Sequence, residues 1–266
     1  MIDLHTHVLP GLDDGARTPD EAIAIAQAQA EDGVVQMAAT PHLRADHPGV
    51  EPAGLQARCD RLNQRLTEVG VPIEVISGGE VDIYWAQAAS TDELRLVSYA
   101  TRGRYLLVET PYGPLPEDFE SLLFQLTVRG FRIVLAHPER SPSFQRRPGR
   151  LQALLEQGLL AQVTAGTLLD APRRSPSRRL AEALVAEGCA HVLATDTHGA
   201  QERGAGRLSA AAAAADGLAP GEGRRMTVDI PAAIVAGEDI PPRAAPASRS
   251  RGHRLRRVMR AVRPRL

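Results

Sequence analysis

Short apolar runs alternating with longer helical stretches set the framework of this 266-residue chain. Residues 1–4, 34–39, 73–76, 105–108, 133–136 and 191–195 are apolar segments of strand length. Between them, apolar positions recur at helical spacing, as with Leu55, Cys59, Leu62 and Leu66, which predict a helix near 54–69. Thr18-Pro19-Asp20-Glu21 reads as a capping box with proline at the first helical position. It launches a helix over 22–30, and Gly33 stops it. Further helices are predicted over 117–128, 151–157, 177–187 and the alanine-rich 207–215. Strands alternating with helices argue for a parallel sheet with helices outside it. About seven such units fit within residues 1–240.

Polar side chains at the ends of those strands change the picture. The first strand runs into His5-Thr6-His7, where residues i and i+2 point the same way and could grip one ion. A lone pair of this kind would suit buried core histidines equally well. The same arrangement recurs, however, at His42 after Thr40-Pro41, at Glu80 after Gly78-Gly79, and at Glu109 before Thr110-Pro111. It recurs again in His137-Pro138-Glu139-Arg140 and in Asp196-Thr197-His198. Catalytic groups collect at C-terminal strand ends in strand–helix barrels. Only closure brings nearly every strand end to one mouth, so a closed or distorted α/β barrel is predicted rather than an open doubly wound sheet. Asp13 and Asp14 lie in a Gly-Leu-Asp-Asp-Gly loop, where either could be a turn residue; Asp14 is favoured as a ligand. The donor set is then His5, His7, Asp14, His42, Glu80, Glu109, His137, Asp196 and His198. Nitrogen and oxygen donors without thiolate suit Mn, Zn, Fe or Mg. Nine donors exceed the needs of one ion; two or three fit, with a carboxylate such as Glu80 bridging.

Composition adds bounds. Aromatics make up only 3% of the chain, so Leu, Val, Ile and Ala must fill the core. The chain has no lysine; all 31 basic residues are arginine. Cys59 and Cys189 make no disulfide framework, and a reducing cytosol is the expected compartment. No segment resembles a signal peptide or a membrane span. The net charge of -1 conceals an asymmetry: nine arginines and no acid lie between 243 and 266, and removing those nine charges leaves -10 for the rest. Pro241-Pro242-Arg243-Ala244-Ala245-Pro246 reads as a linker. Residues 1–240 are therefore expected to form the catalytic unit, and 241–266 a basic tail. Within the tail, Leu255, Val258, Met259 and Val262 fall on one helical face among arginines. Such a segment could lie on anionic lipid, remain a solvated tail or meet an acidic partner; nucleic acid is not the expected partner.

Together, His-x-His at 5–7, Pro-Gly-Leu-Asp-Asp-Gly at 10–15, Ala-Thr-Pro-His at 39–42, Gly-Glu at 79–80, His-Pro-Glu-Arg at 137–140 and Asp-x-His at 196–198 resemble the polymerase and histidinol phosphatase (PHP) superfamily. Within it, the chain is most similar to the capsule-regulating bacterial protein-tyrosine phosphatases of the CpsB/YwqE type. The resemblance covers roughly residues 1–240. It implies a distorted seven-stranded β/α barrel (the PHP fold) and a trinuclear, usually manganese-dependent site. One ion would lie near His5, His7, Glu80 and Asp196, a second near Glu80, Glu109 and His137, and a third near Asp14, His42 and His198. It further implies a cytoplasmic enzyme acting on the phosphotyrosines of a membrane-associated tyrosine kinase that controls polysaccharide export. Two departures stand out: Asp196-Thr197-His198-Gly199 replaces the usual Asp-Ala-His-Asn, and Leu43 follows His42 where a second histidine is common.

The chemistry this implies is attack on phosphorus by metal-activated hydroxide, with Arg140 and Arg203 stabilising the charge on phosphate. Phenolate is a good leaving group, so a general acid is dispensable; His47 is a candidate acid but reads as loop surface. Tyr84, Trp85 and Tyr112 could stack on an aromatic substrate or cap the barrel rim. Cys59-x5-Arg65 matches the spacing of cysteine-dependent phosphatases, but Asp-Arg-Leu-Asn-Gln lacks the glycine turns a phosphate loop needs. Three functions are weighed: a metal-dependent protein-tyrosine phosphatase, a phosphoesterase for a small substrate such as histidinol phosphate, and a non-catalytic metal-binding regulator. The resemblance favours the first, and Arg140 beside a full donor set argues against the third. Subunit number is left open.

Overall fold

The computed structural model describes residues 1–200 and 205–243; Arg203 and the tail from 244 onward lie outside the described residues. Two parallel sheets form its frame. The first has the order β1 (Ile2–Thr6), β2 (Gln36–Ala39), β4 (Glu74–Ser77). The second runs β3 (His42–Leu43), β5 (Glu80–Val81), β6 (Tyr105–Glu109), β7 (Arg132–Ala136), β8 (Leu160–Thr164), β9 (Val192–Ala194). The chain passes from β2 into β3 and from β4 into β5 within a few residues, so the two sheets continue one another. At the other edge Thr6 bridges Thr197, His7 N donates to Thr197 O at 2.9 Å and Asp196 N donates to His5 O at 2.9 Å.

Both faces of the strands are buried, as expected of a parallel sheet covered by helices. Leu4, Ala38, Ile76, Tyr105, Leu107, Val134, Leu160, Val192 and Ala194 meet in a smaller apolar cluster, with Ile230 and Ile234 of helix Ile230–Ala236 packed into it. Neighbours of opposite parity, including Met37, Val75, Leu106, Ile133, Val163 and Leu193, meet the helices in a larger cluster. Aliphatic residues dominate both, as the aromatic-poor composition requires.

The helices follow their signals closely. α1 (Pro19–Glu31) begins at Thr18, whose hydroxyl accepts from Glu21 N at 3.2 Å. The reciprocal half of the capping box is absent, because the Glu21 carboxylate turns to Arg17 N at 2.8 Å. α2 (Leu55–Glu68) buries Leu55, Cys59, Leu62 and Leu66. Helices Phe119–Val128, Pro148–Glu156, Pro176–Ala186 and Leu208–Leu218 match the other predicted segments within a few residues. Gly33 and Gly188 leave their helices with φ of 90° and 67°, a region open to glycine without penalty. The sequence reading overlooked β8, which ends in none of the nine proposed donors. It also overlooked the short helices Ile83–Ala88 and Thr91–Leu96. Arg243, placed in the linker by composition, is anchored: its Nε lies 2.9 Å from Glu222 Oε1, and it donates to Glu187 O at 2.8 Å.

Candidate metal centre

The columns of strand residues facing the smaller cluster change from apolar to polar toward their C-terminal ends. In β6 the column reads Tyr105, Leu107, Glu109; in β8, Leu160, Gln162, Thr164; in β9, Val192 and Ala194 lead to Asp196. Period two carries each polar group to the same end of the structure. Two candidate ligands stand in left-handed backbone, His137 with φ 36° and Asp196 with φ 55°. Such strain concentrates where surrounding structure enforces it for function. Gly15 closes the loop over His7: a Cβ there would lie 2.1 Å from His7 O, so the loop carrying Asp14 approaches only because residue 15 has no side chain.

All nine proposed donors converge. Four groups form, in each of which the ligand atoms lie within 4.8 Å of one another: His5, His7 and Asp196; His5, Glu80 and His137; His42, Glu80 and Glu109; His7, Asp14, His42 and His198. Asp14 is exposed at the mouth and His198 half-buried; the other seven are buried. Glu80 is central. Its Oε1 meets His137 Nε2 at 2.9 Å. Its Oε2 lies 3.0 Å from His42 Nδ1, 3.3 Å from His5 Nε2 and 3.6 Å from His7 Nε2, yet makes no hydrogen bond with any of them. Buried polar atoms are almost always satisfied, so lone pairs crowding together unpaired call for a cation. The spacing fits: donors about 2.0–2.2 Å from a shared ion lie about 3.0–3.5 Å apart.

The electrostatics agree. Burial alone would depress His5, but the Glu80 and Asp196 carboxylates raise it to about 9. His7 is raised against burial by Asp13, Asp196 and Glu80. Burial would raise Glu80, yet His5, His137 and His42 hold it well below the usual carboxylate range. Asp196 is lowered against burial in the same way, chiefly by His5 and His7. His198 lowers Asp14. Glu109 goes the other way, raised by burial and by the neighbouring Glu80 charge. Bound cations would replace the protons that the imidazoles otherwise carry to balance these acids.

Several supporting residues escaped the sequence reading. Asp13 Oδ2 meets His7 Nδ1 at 2.8 Å and accepts from His42 N at 3.0 Å, so Asp13 stands behind the donors while Asp14 stands among them. Gln162 Oε1 meets His5 Nδ1 at 2.9 Å. Orientation of ligating imidazoles by such partners is a general feature of metal sites. Asp3 is buried beneath His5 and accepts from His5 N, Thr195 N and Gln29, tying β1 to the end of β9. Glu139, the third residue of His-Pro-Glu-Arg, faces inward and accepts from Thr164 N and the Thr167 hydroxyl, both at 3.0 Å. Arg44 reaches Glu109 Oε1 at 3.1 Å, a guanidinium that the position just after a ligand-bearing strand end could have flagged. Arg140 pairs with Asp196 Oδ2 at 2.6 Å and lies 4.8 Å from the centroid of the Tyr112 ring. That ring stacks on His137 at 5.2 Å, whereas Trp85 packs against the larger core cluster and Tyr84 is exposed. His47, expected to be loop surface, stacks on His42 at 5.5 Å. Cys59 is buried on α2, its thiol pushed up to about 12 by burial and by Asp60, which fits a core role rather than a nucleophile.

Fold and donors together define a parallel α/β protein with candidate metal-binding groups gathered at its C-terminal strand ends. A profile for capsular polysaccharide synthesis proteins of the CpsB/CapC type matches residues 1–231. The chain belongs to this CpsB/CapC family. It is 34% identical over 206 residues to the tyrosine-protein phosphatase YwqE of Bacillus subtilis (strain 168), covering 76% of this chain and 79% of that one. It is 27% identical over 211 residues to the putative tyrosine-protein phosphatase CapC of Staphylococcus aureus, covering 76% and 79%. Among solved structures, a chain from work on YwqE of Bacillus subtilis and CpsB of Streptococcus pneumoniae, described as unique metal-dependent tyrosine phosphatases, superposes with a TM-score of 0.82. That match has 28% identity and covers 94% of this chain and all of the other. A D-hydantoinase structure matches at TM-score 0.50 and 12% identity, a likeness of fold alone.

Proposed function

We propose that this protein is a metal-dependent protein-tyrosine phosphatase serving capsular or exopolysaccharide synthesis. The carrying observation is the convergence of nine nitrogen and oxygen donors around Glu80, in a chain one-third identical to a tyrosine phosphatase. The donors are read as ligands for two or three ions, manganese first, with zinc, iron or magnesium suited to the same chemistry. When bound, such ions supply activated water and neutralise phosphate charge. The chain's own residues do the rest. Arg140 presents a planar guanidinium to phosphate, oriented by Asp196. Arg203, outside the described residues, is assigned the same task from its sequence position. The partly exposed Tyr112 ring offers a face to the phenyl group beside Arg140. Asp13 and Gln162 fix the rings of His7 and His5.

We read the two sheets as one closed, distorted β/α barrel. The support is the Thr6–Thr197 bridge at the open edge and the inward cluster drawn from seven strands. Residues 1–240 are taken as the catalytic unit and 241–266 as the basic tail. The phosphotyrosine partner is read as a membrane-associated tyrosine kinase, met in the cytoplasm. The arginine-rich tail, outside the described residues beyond Arg243, is a candidate contact for the anionic inner face of the membrane, with a solvated tail as the alternative. No helix among the described residues is long and apolar enough to cross a membrane. Side-by-side turnover of a phosphotyrosine peptide and of histidinol phosphate with Mn²⁺ tests the assignment. Faster turnover of the peptide is expected. Faster turnover of histidinol phosphate would move the protein to the small-substrate class, and metal binding without turnover of either would leave a regulator.

A further inference from the structure

Two stretches that begin at the mouth of the metal centre are strongly basic. Residues 141–150 follow β7 and His137–Arg140, and residues 171–181 follow β8; together they hold seven arginines and no acid. Arg150 pairs with Glu120 at 2.7 Å and Arg178 with Glu182 at 2.9 Å. The other five, Arg146, Arg147, Arg173, Arg174 and Arg179, have no ion-pair or hydrogen-bond partner for their guanidinium groups among the described residues. Glu117 and Asp118, in the loop whose Leu115 N donates to Ser143 Oγ at 3.2 Å, pair with none of the five. The basic tail is no part of this strip: Arg243 is held at Glu187 O, ahead of the N-terminal end of β9 and so at the opposite end of the strands.

The fold fixes where these charges stand. Ser175 N donates to Pro172 O at 2.8 Å, so Arg173 and Arg174 are the central pair of a tight turn, and both are exposed. Arg178 anchors that turn, donating to Ala171 O at 2.9 Å and to Leu169 O at 3.4 Å. Helix Pro176–Ala186 begins there and packs against Pro138–Arg140 and against helix Pro142–Arg146. Arg146 and Arg147, at the end of the latter, are exposed. Arg179 lies in the first turn of the former, with Nε buried and unpartnered. The reach to the donors is short, because Arg140 itself bonds to Asp196 at 2.6 Å. Two peptide steps and one helical turn separate Arg140 from Arg146, so their Cα atoms are at most about 14 Å apart. Gln145 Nε2 donates to Glu139 O at 2.8 Å and draws this helix onto the motif, while Glu139 accepts from the Thr167 hydroxyl at 3.0 Å and ties the second stretch to it. An extended chain advances about 3.3 Å per residue, so about four residues cover the distance from Arg140 to Arg146.

The exposed charges come as adjacent pairs on separate elements, a spacing that meets successive carboxylates of a chain rather than one compact anion. We propose that this strip docks an acidic stretch of the substrate, with aspartates and glutamates within about five residues of the phosphotyrosine at the metal centre. The proposal rests on the phosphotyrosine reading above and names the sequence context that the site prefers.

Steady-state kinetics on the full chain with Mn²⁺ test this. Three peptides carrying one phosphotyrosine each, flanked by glutamates, glutamines or lysines, are compared with p-nitrophenyl phosphate. At low salt the glutamate peptide is expected to show a KM about tenfold lower than the glutamine peptide, and about 0.5 M salt should remove most of that advantage. Arg173→Gln with Arg174→Gln should erase part of it. Adding Arg146→Gln and Arg147→Gln should erase the rest and leave turnover of p-nitrophenyl phosphate unchanged. Arg173→Glu with Arg174→Glu should shift preference toward the lysine peptide, an outcome that a misfolded variant would not give. Equal KM values for the glutamate and glutamine peptides in the unmodified protein would overturn the proposal and leave the phosphatase reading standing. An advantage that survives the fourfold substitution would also overturn it and assign these arginines to another anionic surface, such as lipid. If p-nitrophenyl phosphate and every peptide remain intact, the phosphatase reading itself fails, and the docking strip with it.

Discussion

Asp13 offers a sharp test of how the site is assembled, because it sits behind the donors. Its Oδ2 meets His7 Nδ1 at 2.8 Å and accepts from His42 N at 3.0 Å, while Oδ1 accepts from Gly15 N at 3.0 Å. One carboxylate thus orients two candidate ligands and pins the loop that carries a third, Asp14. Burial works against its charge, yet His7 and the two backbone N–H groups hold it down to about 2. In Asp13→Ala, His7 loses a charge-assisted partner worth roughly 1.5–3 kcal/mol, and the His42 N–H loses its acceptor. At about 1.4 kcal/mol per decade this predicts a loss of about 10–100-fold in metal affinity, the usual scale for partners of metal-ligating histidines. Asp13→Asn keeps an acceptor but not the charge and should fall nearer the lower figure. Competition against a chromogenic chelator measures the affinity, and thermal unfolding of the chelated protein separates site loss from fold loss. Affinity for metal unchanged in Asp13→Ala would refute the reasoning and reduce Asp13 to a turn residue.

Other consequences follow from the same geometry. Arg140→Ala should lower kcat for a phosphotyrosine peptide by about 10²–10³-fold, with Arg140→Lys recovering little of it, because a single ammonium lacks the planar fork; full activity in the lysine variant would contradict the assigned contact. Cys59→Ala should leave kcat and KM unchanged, and any large fall in kcat at unchanged stability would reopen a thiol mechanism. Phe144→Ala removes a fully buried ring 6.4 Å from Phe119 and should cost about 3–5 kcal/mol in denaturant unfolding of the chelated protein. His191, half-buried, is lowered to about 4 by burial and the Arg225 guanidinium, and its Nδ1 accepts from Ala161 N at 3.2 Å. The unfolded chain binds its proton near pH 6.5, the folded one only near 4. Stability should therefore fall as pH drops through that window, by at most about 3 kcal/mol, and the fall should flatten in His191→Gln.

Residues at strand ends were the readable part of this site. Eight of the nine donors stand at or just past the end of an apolar run, Asp14 in its loop being the exception, and the topology rule for parallel α/β proteins then says that such ends meet. What the sequence concealed is the layer behind them. Gln162 lies inside a strand with no motif around it, and its partnership with His5 spans 157 positions. Asp3 looks like a polar interruption in the first strand until Gln29 and Thr195 fold over it. Asp13 and Asp14 are chemically alike and adjacent; only the close approach of Gly15 to His7 sends one behind the ring and the other into the mouth. The same limit applied to aromatics: the choice among Tyr84, Trp85 and Tyr112 depended on helix Ile83–Ala88, whose first turn is capped by Asp82 and whose Trp85 packs inward. β8 ends in no donor that would mark it in the sequence, and its contribution to the site is a mid-strand amide, Gln162.

The central claim is that metal ions held by His5, His7, Asp14, His42, Glu80, Glu109, His137, Asp196 and His198 make this protein a phosphatase. The most direct measurement is metal content and phosphotyrosine-peptide turnover on one purified sample, before chelation, after it, and after Mn²⁺ is restored. The account predicts two or three ions per chain when the sample is metal-replete, turnover lost on chelation, and turnover regained with manganese. A metal-replete sample that binds no transition ion, or a chelated one that hydrolyses the peptide at its original rate, would contradict it.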